Sequence, residues 1–99
     1  MDETDLPGRI SDGRKVVATA GTAEALAAST PCKRVVITAE TDNTGVIVVG
    51  GSTVVAALAT RRGTPLNAGE SVTIVTSNLA NIYLDTTVNG DGVTYYYLS

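Results

Sequence analysis

Apolar and polar residues alternate in short runs along this chain, and no run keeps a helical period for long. The alternation predicts β-strands over residues 15–20, 33–41, 46–49, 53–59, 71–76, 80–85 and 93–98. Residues 23–29 are ambiguous: Ala-Glu-Ala-Leu-Ala-Ala holds good helix formers, yet Thr22 to Leu26 alternates polar with small apolar side chains. Length favours a short strand there, because an isolated single-turn helix gains little, and Thr30-Pro31 ends it. Within the runs, Val35 with Ile37 and Val72 with Ile74 are expected to share core-facing sides. Ile82 and Leu84 should point inward and Tyr83 outward. Residues 46–49 are four apolar side chains in a row, which predicts a strand buried on both faces or covered by a partner.

Turn chemistry separates the runs. Asp42-Asn43-Thr44-Gly45 reads as a tight hairpin turn with Gly45 at positive φ, and Asn89-Gly90-Asp91-Gly92 as a second hairpin turn. Gly50-Gly51-Ser52, Arg61-Arg62-Gly63 and Thr64-Pro65-Leu66-Asn67-Ala68-Gly69-Glu70 read as breaks and a corner. About eight short strands at spacings near ten residues predict an all-β, single-domain β-sandwich or small barrel, jelly-roll-like in its connections. Residues 1–14 carry four of the ten acids and little apolar periodicity, so the domain is expected over 15–99 behind an N-terminal arm. The arm reads as a frayed terminus or as a segment that orders on a neighbouring subunit through Leu6 and Ile10.

Composition sharpens this picture at three points. Thr and Val make up 28 of the 99 residues, and their β-branched side chains favour pleated sheets. The aromatic residues are four tyrosines, with no Phe or Trp, so aliphatic side chains must fill the core. Oligomerisation is one route to the burial such a core lacks. The net charge is −3, and residues 63–99 contain no Lys or Arg, which argues against a phosphate-binding surface and against nucleic acid as a partner. No apolar window is long enough to span a bilayer as a helix, and the acidic start lacks the features of a secretory signal. Assembly in a cytoplasm, without membrane partners, is the expectation.

Candidate chemistry is sparse. There is no histidine, and the single Cys32 can neither close an internal disulfide nor draw on an imidazole. Glu40 and Glu70 read as solvated turn residues rather than a paired acid and base. The run from Asp85 to Asp91 offers oxygen ligands but lacks the alternation and distal glutamate of a calcium loop. No zinc spacing and no phosphate loop occur. Neither a catalytic set, nor a metal site, nor a cofactor is therefore expected. Tyr95 and Tyr97 share one strand face and Tyr96 the other. They suit core or subunit-interface packing, with a carbohydrate-stacking surface as the alternative.

Asn43-Thr44-Gly45-Val46-Ile47-Val48-Val49-Gly50, then Gly63-Thr64-Pro65-Leu66-Asn67-Ala68-Gly69-Glu70-Ser71, then Ile82-Tyr83, then Gly90-Asp91-Gly92-Val93 form a pattern spanning residues 33–98. It resembles small virion proteins of tailed bacteriophages, of the head decoration (cement) or head-fibre type. The resemblance rests on turn and core positions. It implies a β-sandwich or jelly-roll module, often a homo-trimer, that binds the major capsid protein lattice on the virion surface and stabilises the head without catalysis. A tail- or fibre-associated protein and a carbohydrate-binding module are the alternatives. Leu6, Ile10, Arg61, Arg62, Tyr95 and Tyr97 are the candidate partner-binding residues.

Overall fold

The computed structural model describes residues 9–99. Eight strands form there: β1 Ile10–Val16, β2 Glu24–Ala25, β3 Arg34–Ala39, β4 Ile47–Gly50, β5 Thr64–Leu66, β6 Ser71–Val75, β7 Tyr83–Thr86 and β8 Gly92–Leu98. They build two antiparallel four-stranded sheets, with orders β1-β8-β3-β6 and β2-β7-β4-β5. The chain is all-β and forms a β-sandwich.

The pairing has a simple logic. β4 pairs with β5, β3 with β6, β2 with β7 and β1 with β8, so the chain is one long folded ribbon of nested antiparallel pairs. Rolling that ribbon adds two further pairings, β3 with β8 and β4 with β7, which knit each half into a sheet. This is the jelly-roll arrangement. Between the sheets lies a core of Val17, Leu26, Cys32, Val35, Ile37, Ala39, Ile47, Val49, Leu66, Leu79, Ile82, Leu84 and Val93, aliphatic apart from the one thiol. Val72 and Ile74 pack against it from β6. Apolar burial of this kind drives the closure of the roll, at roughly 25 cal/mol per Å² removed from water.

Several local expectations are corrected by the pairing. Residues 42–45 and 89–92 are not hairpin turns, because β3 and β4, like β7 and β8, lie in different sheets. Both are corners at which the ribbon crosses between layers. Gly45 does not take positive φ; Gly21, Gly63, Gly69 and Gly90 do. The corners are instead bolted to each other by side chains. Asn43 donates through Nδ2 to the Gly92 carbonyl and accepts through Oδ1 from the Gly92 amide, both at 2.9 Å. Asp91 accepts from the amides of Thr44 at 3.1 Å and Gly45 at 2.8 Å.

The first strand starts at Ile10 rather than at residue 15, so residues 10–14 belong to the sheet and not to an arm. The strand expected over 53–59 is not one. Its residues double back through a bridge between Val55 and Arg62 and a short 3-10 turn at Leu58–Thr60. Their task is to cover β4: Val54 and Ala56 close a second apolar cluster over Val48, with Ala23, Val46 and Tyr83 packed around it. The run at 46–49 is thus buried on both faces by the chain itself, Val48 under this loop and Ile47 and Val49 in the main core.

Asp85 holds this cover in place. It is 1% exposed, and its Oδ1 accepts from the amides of Gly21 and Thr86 while Oδ2 accepts from the amide of Ala56 at 2.8 Å. One carboxylate thus ties two distant segments, at Gly21 and Ala56, to its own strand β7.

Candidate interaction surface

The outer sides of the two sheets differ. That of β2-β7-β4-β5 lies under the 51–57 connection at β4, whereas the described residues leave that of β1-β8-β3-β6 open. Strand register writes the open side out as three rows. One row runs Ile10, Leu98, Arg34, Val75; the next Asp12, Tyr96, Val36, Thr73; the last Arg14, Thr94, Thr38, Ser71. The face grades from an end that is apolar apart from exposed Arg34 into a polar one. Ile10 is 73% exposed, Val75 78% and Tyr96 47%, high values for large apolar side chains. An open depression between β1 and β3 is lined by Asp12, Arg14, Val36, Thr38, Thr94 and Tyr96.

Polar pairs fix the other end. Arg14 donates through Nε to Glu40 Oε2 at 2.6 Å and through Nη2 to Oε1 at 3.1 Å, a two-point grip that raises the guanidinium further above its ordinary range. Thr38 and Ser71 share a hydroxyl hydrogen bond at 2.7 Å across β3 and β6. Beside the sandwich rim, Lys15 Nζ lies 3.0 Å from Glu24 Oε1, and Glu24 Oε2 accepts from the amides of Ala18 and Thr19. The Lys15 hydrogen bond, opposed by partial burial and aided by those amides, holds the Glu24 carboxyl below its usual range.

The structure separates the residues expected to bind a partner. Ile10 stands at the apolar end of the open face. Leu6 lies outside the described residues. Tyr95 and Tyr97 face the other way: both are half-buried against the main core, their ring centroids 6.2 Å apart. The tip of Tyr95 covers Gly13 on the neighbouring strand, where a Cβ would fall 2.5 Å from its ring, and burial pushes its phenol up from the ordinary value. They are core residues, not an open stacking platform. Arg61 is also committed, its Nε donating to the Ala56 carbonyl at 3.0 Å, while Arg62 is exposed on the loop beside Gly63. Exposed Leu58 lies three residues before Arg61 in the same loop.

Sequence reasoning overlooked Val75, Val36 and Tyr96 as surface candidates. The signal was available: strand alternation that sends Val72 and Ile74 inward sends Val75 outward.

Buried polar groups account for the remaining candidate chemistry. Asp85 and Asp91 spend their oxygens on backbone amides, and among the described residues no three Cys, Asp or Glu side chains gather as metal ligands. Cys32 is buried at the entry to β3, donates to the Thr76 carbonyl at 3.3 Å, and has its thiol pushed up by burial. No helix among the described residues is long and apolar enough to cross a membrane.

No family model matches the chain, and neither a curated protein nor a solved structure similar to it was found.

Proposed function

We infer that this chain is a non-enzymatic structural protein of a tailed-phage virion, one that binds the major capsid protein lattice and stabilises the head. The reading begins from the sequence resemblance over residues 33–98. The observation that supports it best is the division of labour between the two sheets. The 51–57 connection and the buried Asp85 cover the middle of one outer side at Val48, and the other presents a broad strand surface with Ile10, Val75 and Tyr96 exposed.

Such a surface suits attachment to a repetitive lattice. Each copy contributes a modest patch, and many copies on one particle add up through multivalency rather than through any one strong contact. The polar groups that could do chemistry are engaged in holding corners together, as Asp85, Asp91 and Asn43 are. A place on the tail or a fibre would use the same surface and is separated by imaging labelled particles. The glycan-binding alternative loses its proposed platform, since Tyr95 and Tyr97 face the core.

Mixing the purified protein with mature phage heads that lack decoration tests the reading. Co-sedimentation with the heads and an upward shift in their heat-disruption temperature are expected. Heads that neither retain the protein nor change their melting would refute it.

A further inference from the structure

We propose that β6 is a self-pairing edge through which two copies of this chain join their β1-β8-β3-β6 sheets into one eight-stranded sheet. The inference rests on the edge itself and is independent of the capsid reading.

Four strands end the two sheets: β1, β6, β2 and β5. Natural edges are blunted by charge, proline or brevity, because an exposed ladder invites another strand. β2 has two residues, β5 has three with Pro65 at its centre, and β1 carries Asp12, Arg14 and Lys15. β6, Ser-Val-Thr-Ile-Val, has none of these devices. Its five residues carry no charge and no proline, and Val75 at its end is 78% exposed.

The hydrogen-bonding parity of the sheet shows which groups are on offer. Ala39 donates to the Glu70 carbonyl, and Glu40 to the Gly92 carbonyl, so odd-numbered residues of β3 bond towards β6 and even-numbered ones towards β8. Val72 and Ile74, opposite Ile37 and Val35, therefore use their backbone groups within the sheet. Ser71, Thr73 and Val75 direct theirs outward, away from β3, and among the described residues no strand lies beyond them.

A second copy fits this edge for two reasons. Antiparallel pairing about Thr73 places all three outward-directed residues in bonded positions: Ser71 opposite Val75 of the second copy, Thr73 opposite Thr73, and Val75 opposite Ser71. The same register sets Val72 against Ile74 of the second copy, twice. Both side chains are only partly buried at the sandwich rim, and cross-strand pairs of β-branched residues are favourable.

Charge supplies the second reason. A charge close to the two-fold axis at Thr73 would face its own copy, and β6 carries none. At its ends the signs are opposite. Arg34 pairs with Val75, so exposed Lys33 and Arg34 flank one end, and Glu70 precedes Ser71 at the other. The two-fold operation brings the Glu70 end of each copy to the Lys33–Arg34 end of the other. Neither base makes an ion pair among the described residues.

Light scattering on a size-exclusion column, over a concentration series, reads the outcome. The wild-type chain should approach twice its 10.1 kDa mass at high concentration and dissociate on dilution. Thr73→Lys sets two ammonium groups side by side at the axis, and Thr73→Pro removes an amide that points away from β3 and so costs the monomer no ladder bond. Both variants should stay at the single-chain mass with the wild-type circular dichroism spectrum. A wild-type mass of one chain throughout, a trimeric mass, or a dimer retained in both folded variants would overturn the proposal.

Discussion

Replacing the buried Asp85 tests the account of why the roll holds its shape. Asp85→Asn keeps size and shape but turns one carboxylate oxygen into an NH2 group. The remaining oxygen can serve Gly21 and Thr86, as Oδ1 does now at 2.8 and 2.9 Å, and the NH2 then faces the amide of Ala56 across the 2.8 Å that Oδ2 spans. Two donors meet where a bond existed, and flipping the amide only moves the conflict to the other two. A buried donor left without an acceptor costs about 1–3 kcal/mol, so Asp85→Asn should lose about 2 kcal/mol. Asp85→Ala strands all three amides and should lose about 3–5 kcal/mol, allowing for water entering the space. For a chain of this size, total stability is on the order of 5–15 kcal/mol, so the alanine variant should lose a substantial share of it. Urea melts followed by circular dichroism measure both losses. The thermal midpoint of Asp85→Asn should fall by about 10 °C, at 4–8 °C per kcal/mol. Asp42→Asn, on an exposed corner, serves as the control and should stay within about 0.5 kcal/mol of wild type. Losses below about 0.5 kcal/mol in both Asp85 variants would refute the clamp.

Two further substitutions probe other joints. Glu24 has its folded-state pKa lowered, chiefly by its Lys15 hydrogen bond, so its contribution is present above the unfolded value of about 4.3 and fades as pH falls through the lower folded one. Glu24→Gln should therefore cost about 0.5–1 kcal/mol at neutral pH and progressively less in acid; an equal loss at both ends of the pH range would contradict the ion-pair reading. Gly92 opens β8 so close to β1 that a Cβ would fall 2.6 Å from the Lys15 carbonyl and 3.1 Å from the Val16 Cα. Gly92→Ala must push the two strands apart, at a cost of about 2–3 kcal/mol by urea melt, and an unchanged midpoint would show that the strands yield freely.

How much of this was legible in the sequence depends on the range of the interaction. Local signals found β3, β4, β6 and β8 and the inward sides of Val35, Ile37, Val72 and Ile74, because two-residue alternation is written in the chain itself. The Asp42–Gly45 and Asn89–Gly92 turns read as hairpins in the sequence because tight turns look alike whether the next strand pairs or crosses. What distinguishes them is the partner 49 residues away that Asn43 grips at Gly92. Residues 53–59 misled for a related reason: Val54 and Ala56 are apolar because they cover Val48, not because they extend a sheet. The start of β1 at Ile10 was hidden by Asp12, Gly13 and Arg14, which suit an edge strand poorly by propensity but are held by full pairing with β8.

The candidate surface was half legible. Ile10 stands on the open face, whereas Tyr95 and Tyr97, which suit core packing as well as partner contact, pack half-buried against the core, Tyr95 over Gly13. In a chain without Phe or Trp, the half-buried tyrosines supply bulk that the aliphatic core lacks. Tyr96, between them, is the one on the open face.

Binding to heads, measured with the open face altered, tests the central claim most directly. Tyr96→Asp changes an exposed side chain at the middle of that face, beside Asp12 and Val36. If this face meets the capsid, the wild-type protein co-sediments with undecorated mature heads and raises their disruption temperature, while folded Tyr96→Asp loses most of both effects. Equal binding by the two proteins would contradict the assignment of the face, and no binding by either would contradict the capsid reading itself.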